Sequence, residues 1–150
     1  MKKTSLVAAA AAALLPLLAS AQFSKTEDEI RYRQSALFLM GQHFYGRINP
    51  MVNDKVPFDA EKAKESAATV KALSGLPWVA FSPGSEKGNT KALSDIWKDQ
   101  GKFTAARDRM LKTLPNLVAA ADTGDKAKLK EAYTETAAAC KNCHDDFRGK

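Results

Sequence analysis

Cys140-Lys141-Asn142-Cys143-His144 brings together the chain's only two cysteines and one of its two histidines. Residues three and four apart on a helix share a face, so a helix through this stretch presents both thiols on one side. The pattern C-x-x-C-H is the attachment signature of c-type haem. Cys140 and Cys143 are spaced to reach the vinyl groups on one edge of a porphyrin and form thioethers. His144, next in sequence, is placed to turn its imidazole under the iron as the axial ligand. Two cysteines also exclude a disulfide-dense mini-fold and a four-cysteine zinc site.

Three other readings of the same residues carry less weight. A redox dithiol of the thioredoxin kind calls for a βαβ context. Zinc held by Cys140, Cys143, His144 and His43 requires a poor chelate from two adjacent ligands and a fourth from a distant helix. A disulfide between positions i and i+3 of one helix is strained.

The first 21 residues read as a secretory signal peptide. Lys2 and Lys3 precede an uncharged run from Leu6 to Leu18, and Ala19-Ser20-Ala21 supplies the small residues of a cleavage site. The run is shorter than the ~20 apolar residues that span a bilayer. The mature chain is expected to be residues 22–150, a single domain exported to the periplasm, where thiols oxidise, and not inserted in a membrane. Loss of Lys2 and Lys3 takes the formal charge from +6 to +4, too small a surplus to indicate nucleic acid.

Residues 22–150 read as helical, being rich in Ala, Lys, Glu and Leu with few β-branched runs. Thr26-Glu27-Asp28-Glu29 has the form of a capping box, and Ile30, Gln34, Leu37, Gly41, Phe44 and Ile48 follow at helical spacing. Asn49-Pro50 is expected to end that helix. Asp59 caps a second helix with Ala63, Ala67, Val70 and Leu73 on its inner stripe, stopped at Ser74-Gly75. A long loop, about Gly75 to Ser94, holds Trp78 and Phe81 and is expected to pack onto the domain. The third helix starts near Asp95 or Asp99 and reaches Ala121, with Pro115 expected to kink it. After a turn at Asp122-Thr123-Gly124, Asp125 caps a fourth helix running to about Arg148. The fold class is therefore all-α, an antiparallel up-and-down four-helix bundle with covalently bound haem.

The first helix is the candidate wall across from the iron. With Leu37 as origin and ~100° per residue, Gly41 and Phe44 fall within about 40°, Arg33 and Met40 within about 60°, and His43 about 120° away. A sixth ligand has to come from helices before the motif. Leu37 over the iron leaves it five-coordinate in an apolar pocket open to small neutral gases; Met40 is the rival as a sulfur ligand or else a core gap-filler. Arg33 is either a partner of the haem propionates or a solvated helix residue. Arg148, four residues past His144, either lies over the proximal face or serves the helix C-terminus.

Tyr32-Arg33-Gln34-Ser35-Ala36-Leu37, Leu39-Met40, Leu76-Pro77-Trp78, Phe81, Pro83-Gly84, Ile96-Trp97 and Cys140 to Arg148 together resemble the cytochromes c-prime, the high-spin class II c-type cytochromes. The likeness spans the mature chain. It implies one haem c per chain, covalent through Cys140 and Cys143, with His144 as sole axial ligand and metal site. It implies haem contacts from Arg33 and Gln34, Leu37 blocking the distal face, Arg148 beside His144, and Thr90 in the loop at the haem edge. It also implies a homodimer packed through the first helices. Phe38, where a smaller residue is common, and Pro115 depart from the pattern.

Two functions follow as expectations: one-electron transfer with unidentified periplasmic redox partners, and binding of gases such as nitric oxide and carbon monoxide, with nitric oxide scavenging or buffering as the alternative main role. No nucleophile–base pair or paired carboxylate is present, so the chain is not read as an enzyme. N-terminal sequencing of the protein exported by a host competent in cytochrome maturation should begin at Gln22; a start at Met1 contradicts the signal-peptide reading.

Overall fold

The computed structural model describes residues 22–150; the signal-peptide reading lies outside them. Four long helices and two short ones, with one π-helical stretch and a 3-10 turn at Leu76–Val79, build the molecule. They are α1 (Thr26–Gly41), the π-helical Gln42–Ile48, α2 (Asn49–Val52), α3 (Ala60–Leu73), α4 (Asp95–Lys98), α5 (Gln100–Asp122) and α6 (Lys126–Phe147). The first three run on continuously as one long rod. This rod packs on α3, α3 on α5 and α5 on α6, and α2 closes the ring against α6, giving the expected four-helix bundle. Among the described residues no strand occurs beyond a single antiparallel bridge, Ala92 to Arg148, and no helix is long and apolar enough to cross a membrane.

Three aspartates start helices as the sequence suggests. Asp59 accepts from the Lys62 N–H (3.0 Å), Asp99 from Lys102 (2.8 Å), and Asp125 from Ala127 and Lys128 (2.8 and 3.3 Å), each satisfying donors the first turn leaves free. Asp99 also separates α4 from α5, so both starts considered for the third helix exist. Gly124, at φ 68°, turns the chain out of α5. The helix continues through Pro115.

Two boundaries differ from expectation. The capping box does not form: Lys25 is the N-cap of α1 and no side chain caps it, because the Glu29 carboxylate is drawn into the protein to accept from the Ser82 N–H (2.6 Å) and hydroxyl (2.7 Å). Asn49-Pro50 does not end the first rod, which runs on to Val52. A proline inside an α-helix meets the carbonyl four residues back. Here the residue four back is Gly46, in the π-helical stretch, and Pro50 stands in the first turn of α2, where a missing N–H is tolerated.

The core is split. The larger part runs from Met40, Phe44 and Ile48 through Val70, Leu114 and Leu117 to Leu129 and Tyr133. The smaller holds Ile96, Ala106 and Phe147 with Phe81, Trp97 and Phe103 against them. Cys140 packs on the first and Cys143 on the second. Leu117 has no exposed surface, so Leu117→Ala should lower the unfolding free energy by ~2–5 kcal/mol in urea denaturation; a loss below ~1 kcal/mol would contradict its place in the core.

Candidate haem-binding site

A cavity of about 710 Å³ separates α1 from α6, within the ~300–1,000 Å³ range of small-molecule sites. From α6 it is lined by Thr136, Cys140, Cys143, His144 and Phe147, with Arg148 at the helix end. Arg33, Gln34, Leu37, Phe38, Met40 and Gly41 line it from α1, and Thr90, Lys91 and Ala92 from the loop. Every site residue expected from the sequence thus meets one space. His43 lies outside the cavity wall, as its helical angle implied; it is half-buried, with its Nδ1 buried and unpartnered.

Both cysteines are free thiols, half-buried. Burial, reinforced by Cys143, pushes the Cys140 thiol up to about 11. Burial and the nearby Asp146 raise Cys143 as well. Reactive dithiols have lowered values, so this pair does not have the electrostatics of a thioredoxin-like site. His144 is moved the other way: partial burial and the Arg148 charge keep its imidazole below the ordinary value, and a neutral imidazole is the ligating form.

The α1 wall is largely hydrocarbon. Met40 and Phe44 are buried within the larger core, whereas Leu37 keeps 36% of its surface exposed. At Gly41 an added Cβ would meet nothing within 4 Å. Phe38 stands at the rim, 63% exposed, and also borders a shallow groove with Arg31, Ser35 and Leu39.

Arg33 lines the cavity as expected, but its hydrogen bonds go elsewhere than the sequence suggested. It is 2% exposed, hence not a solvated helix residue, and its donors are engaged by the loop. Nη1 donates to the Ala80 carbonyl and the Ser85 hydroxyl, both at 2.8 Å. Nη2 donates to the Ser85 carbonyl (2.6 Å) and the Thr90 hydroxyl (3.1 Å). Its guanidinium carbon lies 4.7 Å from the Phe81 ring centre, a cation–π contact. Burial lowers the Arg33 pKa, and Glu29 and Glu86 oppose that shift. Gln34 adds a bond to the Asn89 carbonyl (2.8 Å). The loop is thus latched to α1 by Glu29, Arg33 and Gln34. At its far end it is joined to α6, where Leu93 N–H donates to the Phe147 carbonyl (3.0 Å) and Gly149 N–H to the Lys91 carbonyl (2.7 Å). Trp97 fastens its middle, its Nε1 donating to the Phe81 and Ser82 carbonyls. Glu29 escaped the sequence reading because its spacing matched a cap. The only available signal was an acid and an arginine four residues apart on the inner side of one helix.

Two neighbouring thiols with a histidine beside them, an apolar slot facing them and polar residues at its mouth fit a planar, covalently held haem and define a helical-bundle c-type haem protein. The comparisons with known proteins agree. The Cytochrome C' family profile matches residues 28–148. Cytochrome c' of Alcaligenes xylosoxydans xylosoxydans is 44% identical over 129 residues, covering 86% of this chain and 99% of that protein. The crystal structure of cytochrome c' from Rubrivivax gelatinosus superposes with a TM-score of 0.80 at 48% identity, over 85% of this chain and 99% of that one. A nitric oxide complex of a leucine-to-alanine variant of cytochrome c prime from Alcaligenes xylosoxidans gives 0.79 at 43% identity, over 86% and 99%. The chain belongs to the cytochrome c' family, and it carries a covalent c-type haem through Cys140 and Cys143.

Removing one partner from a buried charged network leaves the others unsatisfied. Arg33→Gln should therefore cost about 3 kcal/mol in urea denaturation and speed amide exchange at Ser82 and Ser85; unchanged exchange there would show that the loop does not depend on Arg33.

Proposed function

We propose that this protein is a periplasmic haem c protein whose iron is held on one side by His144 and left open on the other beneath Leu37. In this reading it binds nitric oxide and other small neutral gases and passes single electrons to soluble redox partners. The observation that carries it is the chemistry of the two walls. His144 opens from α6 into the same cavity that Leu37, Met40 and Phe44 border from the first rod. Leu37 offers no lone pair.

When bound, the haem supplies an iron that cycles between ferric and ferrous and takes up diatomic gases. The chain's residues do the rest. The Cys140 and Cys143 sulfurs, three residues apart on α6, fix the group at one edge as thioethers. His144 would supply a nitrogen ligand to its iron. Leu37 keeps water and hydrogen-bond donors from the far face, which disfavours bound dioxygen relative to nitric oxide or carbon monoxide. Arg148, just past the end of α6, puts a positive charge beside His144. Gln34, Thr90 and Lys91 make the mouth polar, where haem carboxylates need donors.

The protein acts in this reading as a carrier and binder, not a catalyst. Phe38 and Leu39, 63% and 46% exposed on one groove of α1, support a homodimer packed through the first helices, since exposed apolar surface of this kind marks association sites. A second reading makes nitric oxide capture the main role, favoured by the same hydrocarbon wall: a carrier needs no open face.

Absorption and resonance Raman spectra of the purified protein test the reading. The expected result is five-coordinate high-spin haem in both oxidation states, and nitric oxide binding by the ferrous form. A six-coordinate low-spin spectrum in both states would overturn the role of Leu37 and point to Met40. Cys140→Ser with Cys143→Ser should abolish the haem mass increment.

A further inference from the structure

The roles assigned above leave unused an aromatic cluster at the seam between the π-helical stretch and α6. Tyr45 stands in that stretch and in the cavity wall, 45% exposed. Tyr133 lies two turns before Cys140 on α6 and is buried at 7% exposure. Phe44 joins them: its ring stacks on Tyr133 at 4.5 Å between centres and meets Tyr45 edge-on at 4.9 Å. The two phenol rings are 6.4 Å apart at 85°. Contacts of this geometry hold a core whether or not the rings bear hydroxyls. Two phenols in this row add what packing does not need: groups that give up an electron and a proton together. The row runs from a buried ring behind the cavity to a ring that touches both the cavity and solvent. It sits where a π-helical turn, a feature common at functional sites, re-aims the side chains of the first rod.

We propose that Tyr45 and Tyr133 form a relay that draws oxidising equivalents out of the haem cavity when the protein meets a hydroperoxide. The inference rests on the haem reading above. A hydroperoxide accepts two electrons and two protons, its O–O bond breaks, and an alcohol and water form (two waters from hydrogen peroxide). Two tyrosines supply both pairs: each loses one electron and one proton and becomes a neutral phenoxyl radical. The ferric–ferrous couple is too weak an oxidant to remove an electron from a phenol, so the relay is silent during ordinary electron carriage. Both phenols give their protons to solvent, Tyr45 directly and Tyr133 through the 7% of its surface that stays exposed, and the peroxide takes up two protons from the same water. Tyr133, whose hydroxyl is pushed up to about 12 by burial and by Tyr45 and Cys140, stays a neutral phenol until it is oxidised.

The test is freeze-quench electron paramagnetic resonance of the haem-loaded ferric protein mixed with hydrogen peroxide. An absorption spectrum taken before mixing establishes the haem independently, so a failure of the haem reading shows there and not in the radical. The expected result is an organic radical signal that narrows when the protein is made with ring-deuterated tyrosine. It should fall at least fivefold in Tyr45→Phe, vanish in the Tyr45→Phe/Tyr133→Phe double variant, and persist in Tyr32→Phe. Haem bleaching by peroxide should be faster in the double variant. The proposal is overturned by a signal that survives the double substitution, by one carried on Trp78, which also lines the cavity, or by a haem spectrum that peroxide leaves unchanged.

Discussion

A guanidinium with 2% of its surface exposed tolerates burial only if hydrogen bonds replace its water, since an uncompensated charge in the interior costs several kcal/mol. Arg33 meets that demand with four hydrogen bonds, all to one loop. The acceptors are carbonyls and hydroxyls rather than a directly paired carboxylate, so the loop must adopt a backbone that points them inward. Glu29, one turn earlier, makes the complementary demand on Ser82. The loop that borders the cavity is thereby fixed to the helix that forms one of its walls.

Much of this was legible in the residues. Asp59, Asp99 and Asp125 cap helices because a short carboxylate before a helix has one good use, and the aromatic content of the long loop correctly indicated a packed segment. The C-x-x-C-H spacing placed both thiols on one face of the last helix, and the phase of the first helix placed Leu37, Gly41 and Met40 on the cavity and His43 off it. What could not be read depended on tertiary partners. Glu29 was indistinguishable from a capping residue until Ser82 lay beside it. Pro50 read as a terminator because no local pattern announces a π-helical turn. Arg33 read as solvated or as a cofactor partner because its acceptors are 47 to 57 residues away.

The divided core gives the bundle its use. A continuous core would bring α1 against α6. Instead Cys140 touches one apolar cluster and Cys143 the other, so the attachment points straddle the gap. The larger cluster, anchored by fully buried Leu117 and Leu129, keeps the helices assembled beyond the cavity, and the gap does not have to be filled for the far end of the bundle to pack.

The bond from Gly149 N–H to the Lys91 carbonyl joins the end of α6 to the loop, the loop is tied through Thr90 and Arg33 to α1, and α1 returns to α6 by way of α2. The loop that borders the cavity is therefore tied at both ends. It is held by hydrogen bonds that are not part of any helix, at one end to Arg33 and at the other to the residues that follow α6. A change on the loop's side of either tie reaches the cavity through the loop, without touching a residue of its helical walls.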